Sequence, residues 1–171
     1  MKRGGFLILI NMAREYFIGI DVGSKGYACI YDATYKSYGH YPLFEGKRLS
    51  PILIERLNDL VRLSSIAVVE QVHSMPGQGV ASTFTFGTNY GKVLGMLEAI
   101  GMPYVTVTPT KWQNEMIEAT DKAQTTKMTS YSAARRLLPL MDFRRSDRCK
   151  TFDDNKVDAT LICLYAQRKN L

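Results

Sequence analysis

The sequence predicts an α/β fold, a mixed five-stranded sheet with helices on both faces. Three observations carry the prediction. Two apolar runs near the start flank a glycine-rich turn and read as paired antiparallel strands, with an aromatic-rich third run behind them. Two later apolar runs, short and β-branched, alternate with helical periodicity, as parallel strands joined by crossover helices do. From residue 109 on, the pattern is helical apart from one arginine-rich loop.

Residues 1–15 read as an N-terminal extension to a single domain at 16–171. The opening Met1-Lys2-Arg3-Gly4-Gly5-Phe6-Leu7-Ile8-Leu9-Ile10 imitates an export signal. Its apolar core of about five residues falls short of the roughly 7–15 such a signal needs, and Met12 is an alternative start. The first strand, Tyr16-Phe17-Ile18-Gly19-Ile20-Asp21, ends in an acid and turns through Val22-Gly23-Ser24-Lys25-Gly26 into the second, Tyr27 to Tyr31. Tyr35 to Leu43 alternates in part and gives a third. Ser50-Pro51 is a helix start, with serine as cap and proline in the first turn, followed by Leu53, Leu57, Leu60 and Val61 at helical spacing. Ile66-Ala67-Val68-Val69-Glu70 is a buried parallel strand that again ends in an acid.

The loop from Gln71 to Gly79 leads into a long helix from Val80 or Ser82 to Ile100. Gly87, Gly91 and Gly95 share one face of it. Glycine inside a helix costs about 1 kcal/mol relative to alanine. The stripe is therefore expected to pack closely on the sheet or, as an alternative, on a nucleic-acid backbone or a second copy. Pro103 to Thr108 is the fifth strand. Pro109 opens a short helix holding Lys111 and the sole tryptophan, Trp112, read as a core anchor. Thr125 or Thr126 caps a helix to Leu138, and a last helix spans Asp153 to Lys169 with Val157, Leu161, Ile162 and Tyr165 in one stripe.

The formal charge of +6 favours a polyanionic partner. Setting aside Asp21, Glu70, Asp154 and Asp158 leaves 22 basic residues against 12 acids, and Arg135, Arg136, Arg144, Arg145 and Arg148 crowd one stretch. Such a cluster fits phosphate contact, against the alternative of a solvated loop. Cys29, Cys149 and Cys163 lack the close pairing of a zinc or redox motif and read as reduced thiols. No segment is long enough for a bilayer, so the chain reads as cytoplasmic.

A carboxylate inside an apolar run is costly unless it is paired or holds a cation. Asp21 and Glu70 end such runs, and Asp154 and Asp158 share a helix face by i, i+4 spacing. If the two strands are neighbours, the last helix lays its acids across their common edge. Four like charges there require cations, and hard divalent ions favour carboxylates. Two such ions suit phosphodiester hydrolysis. Only His40 and His73 are available for other acid–base chemistry, and no serine–histidine–aspartate set exists. Taken singly, Asp21 could cap the glycine turn, Glu70 could be a strand-end charge, and Asp153 and Asp154 could serve the helix dipole.

Ile18-Gly19-Ile20-Asp21-Val22-Gly23, Val69-Glu70-Gln71-Val72 and Asp154-Asn155-Lys156-Val157-Asp158-Ala159 resemble the successive motifs of RuvC-type Holliday junction resolvases. Pro76-Gly77-Gln78-Gly79 through Phe86-Gly87 to Thr108-Pro109-Thr110-Lys111-Trp112 look most like the phage-encoded branch. The resemblance spans roughly residues 16 to 168. It implies an RNase H-like fold, a homodimer in the cytoplasm of a bacterial host, and two Mg²⁺ ions per site, with Mn²⁺ as a substitute. The implied reaction cuts opposed strands of a four-way DNA junction symmetrically, leaving ligatable ends. The implied ligands are Asp21, Glu70, Asp158 and Asp154, with Asp153 in reserve because the bacterial spacing falls on Asn155. His73 replaces a stacking aromatic, and Lys111 and Lys127 fall where family lysines contact DNA; Lys25 and the five arginines complete the expected DNA surface.

Three other readings stand beside this one. An ATPase of the actin and sugar-kinase type also shows Asp-x-Gly after a strand, but needs two such domains. A non-catalytic junction binder and a nuclease acting on flaps, forks or RNA hybrids would share the fold.

Overall fold

A computed structural model describes residues 14–23, 25–71 and 79–171. Strands β1 (Tyr16–Asp21), β2 (Tyr27–Asp32) and β3 (Ser37–Pro42) form an antiparallel meander. A two-residue hairpin, β4 (Phe44–Glu45) and β5 (Arg48–Leu49), precedes helix α1 (Pro51–Leu60). Then come β6 (Ser65–Glu70), α2 (Val80–Ile100), β7 (Tyr104–Val107), α3 (Pro109–Met116), α4 (Thr126–Leu137) and α5 (Asp154–Lys169). The sheet order is β3-β2-β1-β6-β7, with β1, β6 and β7 parallel. The mixed five-stranded sheet expected from sequence is present, with helices on both faces. Among the described residues no helix is long and apolar enough to cross a membrane.

As the central strand, β1 must be apolar on both sides. Ile18, Ile20 and Val22 pack with Leu53 and Leu57 of α1 and Val93 and Leu97 of α2. Phe17 faces the other way, with Trp112 of α3, Ala133 of α4 and Leu161 and Ile162 of α5. Gly19 lies between strand and helix. A Cβ there would stand 2.2 Å from the Cys163 amide nitrogen and 2.3 Å from the Ala159 carbonyl oxygen. Only glycine lets α5 lie this close on β1.

Local chemistry sets the element ends. Thr125 caps α4 by accepting from the Met128 amide at 3.2 Å. Ser50 precedes Pro51 as expected, but its hydroxyl donates to Glu45 Oε1 at 2.9 Å and caps nothing. Trp112 is fully buried, the core anchor expected.

The glycine stripe departs from expectation. A Cβ at Gly87, Gly91 or Gly95 would meet nothing within 4 Å. The first half of α2 is largely exposed, with Val80 at 86% and Phe84 at 76% exposure, while its second half buries Val93, Met96 and Leu97 and packs Tyr90, Leu94 and Ile100 against the core. Close packing on the sheet is therefore not the reason for these glycines.

Candidate active site

In the parallel ladder Ile20 pairs with Val69, so the next residues, Asp21 and Glu70, leave the sheet side by side at one edge. Alternation puts both on the α5 face, since Phe17 on β1 and Ile66 and Val68 on β6 line that core. Helix α5 runs over β1, held down at Gly19, and begins with Asp154; Asp158 follows one turn later. A Cβ on Gly23 would stand 2.6 Å from Asn155 Oδ1, so the turn after β1 lies against the start of α5 and a side chain there would push the Asn155 amide aside.

The neighbouring acids bear through space on Asp21 and Asp158. Burial pushes the Asp21 carboxyl well above its usual range, and the charges of Asp158, Glu70, Asp154 and Asp153 push it further. Burial likewise drives Asp158 up to about 7 against a hydrogen bond from Ser130, with Glu70 and Asp154 adding repulsion. Glu70 is raised by burial and eased by Trp112, whose indole Nε1 donates to Oε1 at 2.8 Å. The Oδ1 of Asp158 is buried and without a hydrogen-bond partner.

Among the described residues, no three His, Cys, Asp or Glu side chains converge closely enough to hold a metal ion as they stand. Asp154 is drawn aside by an ion pair with Lys127. Two observations nonetheless fit a hard divalent ion: every donor is a carboxylate, and one buried carboxylate oxygen has no proton donor to satisfy it.

Asp153 stands apart from this group. As the N-cap of α5 it accepts from the Asn155 amide at 3.1 Å, and its other oxygen takes Arg145 Nε at 2.8 Å and Nη2 at 2.6 Å. Both its oxygens are thus engaged, which separates Asp153 from Asp154.

The basic residues divide into two sets. Lys25 and Lys111 are exposed, as is Arg148, and none of them pairs with an acid among the described residues. Arg135 reaches only the Met141 carbonyl. Arg136 turns to Asp121, at 2.7 Å, and Glu118, at 3.0 Å. Arg144 is paired with Asp142, and Arg145 with Asp153. The structure brings Lys127 to the acids; it does not bring Arg135, Arg136 or Arg144 there. His73 lies outside the described residues.

Sequence reasoning missed Trp112 and Ser130 as partners of the acids. The signal for the first existed: a buried indole N–H requires an acceptor. Ser130 offered none, because a serine inside a helix has no such obligation.

No family model and no curated protein matches this chain. Solved structures do. RuvC of Thermus thermophilus in complex with a Holliday junction substrate superposes with a TM-score of 0.52 at 15% identity, covering 91% of this chain and 96% of that one. A second Thermus thermophilus RuvC structure gives a TM-score of 0.50 at 17% identity, covering 90% and 96%. Both neighbours are bacterial, and neither favours the phage-encoded branch. At this identity the likeness is one of architecture, and the chain has the RNase H-like fold of RuvC.

Proposed function

We propose that this protein is a divalent-metal-dependent endonuclease that resolves four-way DNA junctions by paired, symmetric nicks. The observation that carries the reading is the shared edge where Asp21, Glu70 and Asp158 lie buried together, Glu70 repelling charge on both aspartates, while Asp158 Oδ1 stays unpartnered. Buried acids arranged this way lower their energy by taking up cations. Asp21, Glu70, Asp158 and Asp154 would hold two Mg²⁺ ions, or Mn²⁺ in their place. When bound, such ions activate a water and stabilise the leaving oxygen of a phosphodiester.

The chain's own residues orient this chemistry. Trp112 fixes one oxygen of Glu70 and leaves the other for a ligand. Lys127, 71% exposed at its side chain, neutralises Asp154 until something replaces it. Of the cations expected at the DNA surface, Lys25, Lys111 and Arg148 are exposed and pair with no acid among the described residues, which leaves them to meet phosphates. Two symmetric cuts call for two sites related by a two-fold axis, and hence a homodimer. The phage-encoded branch rests on the sequence motifs alone, and a cytoplasmic location on the sequence's lack of a bilayer-length segment.

A labelled four-way junction incubated with Mg²⁺ tests the proposal. Paired nicks with ends that ligase seals are expected, abolished by EDTA and reduced at least about a hundredfold by Asp21→Asn. Binding without cutting would leave a junction-binding protein, and cutting of flaps or forks in preference to junctions would change the substrate.

A further inference from the structure

The acids at the sheet edge are held by partners of different kinds. Trp112, which grips Glu70, is fully buried and cannot leave. Ser130, which bonds Asp158, is buried on α4. Asp154 pairs only with Lys127 among the described residues, and the lysine end of that pair is largely in solvent. An exposed ion pair adds little stability and changes partners readily. Lys127 can therefore be withdrawn from the edge without unpacking the core.

Its position makes Lys127 answer to anions. It stands in the first turn of α4, where the helix presents its positive end and no acid offsets it. Asp154 raises the ammonium above its usual range, by hydrogen bond and by charge, and Asp158 and Asp153 add to the effect. The ammonium in turn opposes the rise at Asp158. The chain thus supplies from within part of the positive charge that the edge lacks.

The adjoining stripe of α4 faces elsewhere. Lys127 and Ser130 turn to the acids, while Thr126 and Thr129 line a concavity of about 390 Å³ with Gln113, Asn114, Lys122 and Gln124. Its walls hold amide, hydroxyl and ammonium groups and no carboxylate. Lys122 is exposed and pairs with no acid among the described residues. Such a lining suits the phosphates of a DNA backbone. A strand lying there passes the root of Lys127 and offers its ammonium a second anion.

We infer that Lys127 gates the acidic edge: in the free protein it occupies Asp154, and a DNA phosphate at the groove between α3 and α4 draws it off, releasing that carboxylate to a divalent ion. The gate rests on the junction reading and adds regulation to it. Ion and DNA then strengthen each other's binding, because each takes one partner of the same ion pair.

Isothermal titration calorimetry of the full chain with Ca²⁺, a hard ion that carboxylates accept, tests the gate. The protein is titrated free, with a saturating four-way junction and with a linear duplex, the DNA being checked intact on a gel. The junction should tighten Ca²⁺ binding to the parent about tenfold. Lys127→Ala should tighten binding to the free protein about fivefold and shrink the gain from DNA to less than about twofold. Lys127→Arg, which keeps the cation, should behave as the parent does. Tighter binding in Lys127→Ala with the gain from DNA unchanged is charge relief alone and overturns the gate. A parent that binds Ca²⁺ equally well with and without DNA, or that binds no junction, overturns it too; loss of Ca²⁺ binding in Asp21→Asn then shows that the metal site itself stands. A duplex as effective as the junction keeps the gate and removes the junction reading. No Ca²⁺ binding by any form removes both the gate and the proposed function.

Discussion

Asp153 and Asp158 begin the same helix, yet an arginine holds the first and no cation holds the second. Burial raises the Asp153 carboxyl, but Asn155 and Arg145 outweigh it and the group sits below its usual range. Asp121 repeats the pattern on another element, lowered chiefly by Arg136. Asp158 and Asp21 are displaced the other way. Arginine is plentiful in this chain, so the lack of one at Asp158 is not a shortage of partners. The difference teaches that Asp153 and Asp121 are matched internally by arginines, while Asp21 and Asp158 at the sheet edge are left in want of charge from outside.

Four substitutions break or sharpen that contrast. Gly19→Ala should have the largest effect, because its methyl must displace the backbone of α5 that carries both kinds of acid. A loss of about 3 kcal/mol or more is expected, read from urea unfolding. Arg145→Ala strands Asp153 as a buried acid and should cost about 2 kcal/mol by the same measurement, discounted for the partial exposure of the arginine.

His40 tests a third ionisable group against α5, this one half-buried. Thr160 Oγ1 donates to the Lys156 carbonyl, so it accepts from His40 Nε2 at 2.7 Å and fixes that nitrogen as protonated in the neutral ring. Burial, with Lys156 adding repulsion, lowers this histidine to about 4 from its ordinary 6.5. The unfolded chain therefore takes the proton first. The stability this group contributes is complete above about pH 6.5 and lost as pH falls towards 4. His40→Gln should remove about 1–2 kcal/mol of that acid sensitivity, seen by comparing unfolding midpoints of variant and parent at pH 7 and pH 4.5.

Asp158→Asn should have the smallest effect and the opposite sign. In EDTA at pH 8 it relieves repulsion among the acids and should raise stability by about 1 kcal/mol, while divalent cations cease to stabilise the protein. A fall in the midpoint would remove the contrast with Asp153.

Much of this was legible in the chain. The strands announce themselves because a central β-strand has no polar face, and Asp21 and Glu70 are conspicuous as acids closing such runs. The pairing of Arg136 with Asp121, or Arg145 with Asp153, was not legible, because loops bring those residues together and leave no periodic trace. The same blindness affected the glycines of α2: periodicity shows that Gly87, Gly91 and Gly95 share a face, but not that a Cβ on that face would touch nothing. The hairpin of β4 and β5 is too short to carry any pattern.

The hydrogen bond from Trp112 to Glu70 gives the molecule a built-in optical probe. With one indole in the whole chain, ultraviolet emission has a single source, and that source touches an oxygen of the acidic edge. Whatever neutralises Glu70 alters the electric field on the ring, so the emission colour and yield report loading of the edge without any attached dye.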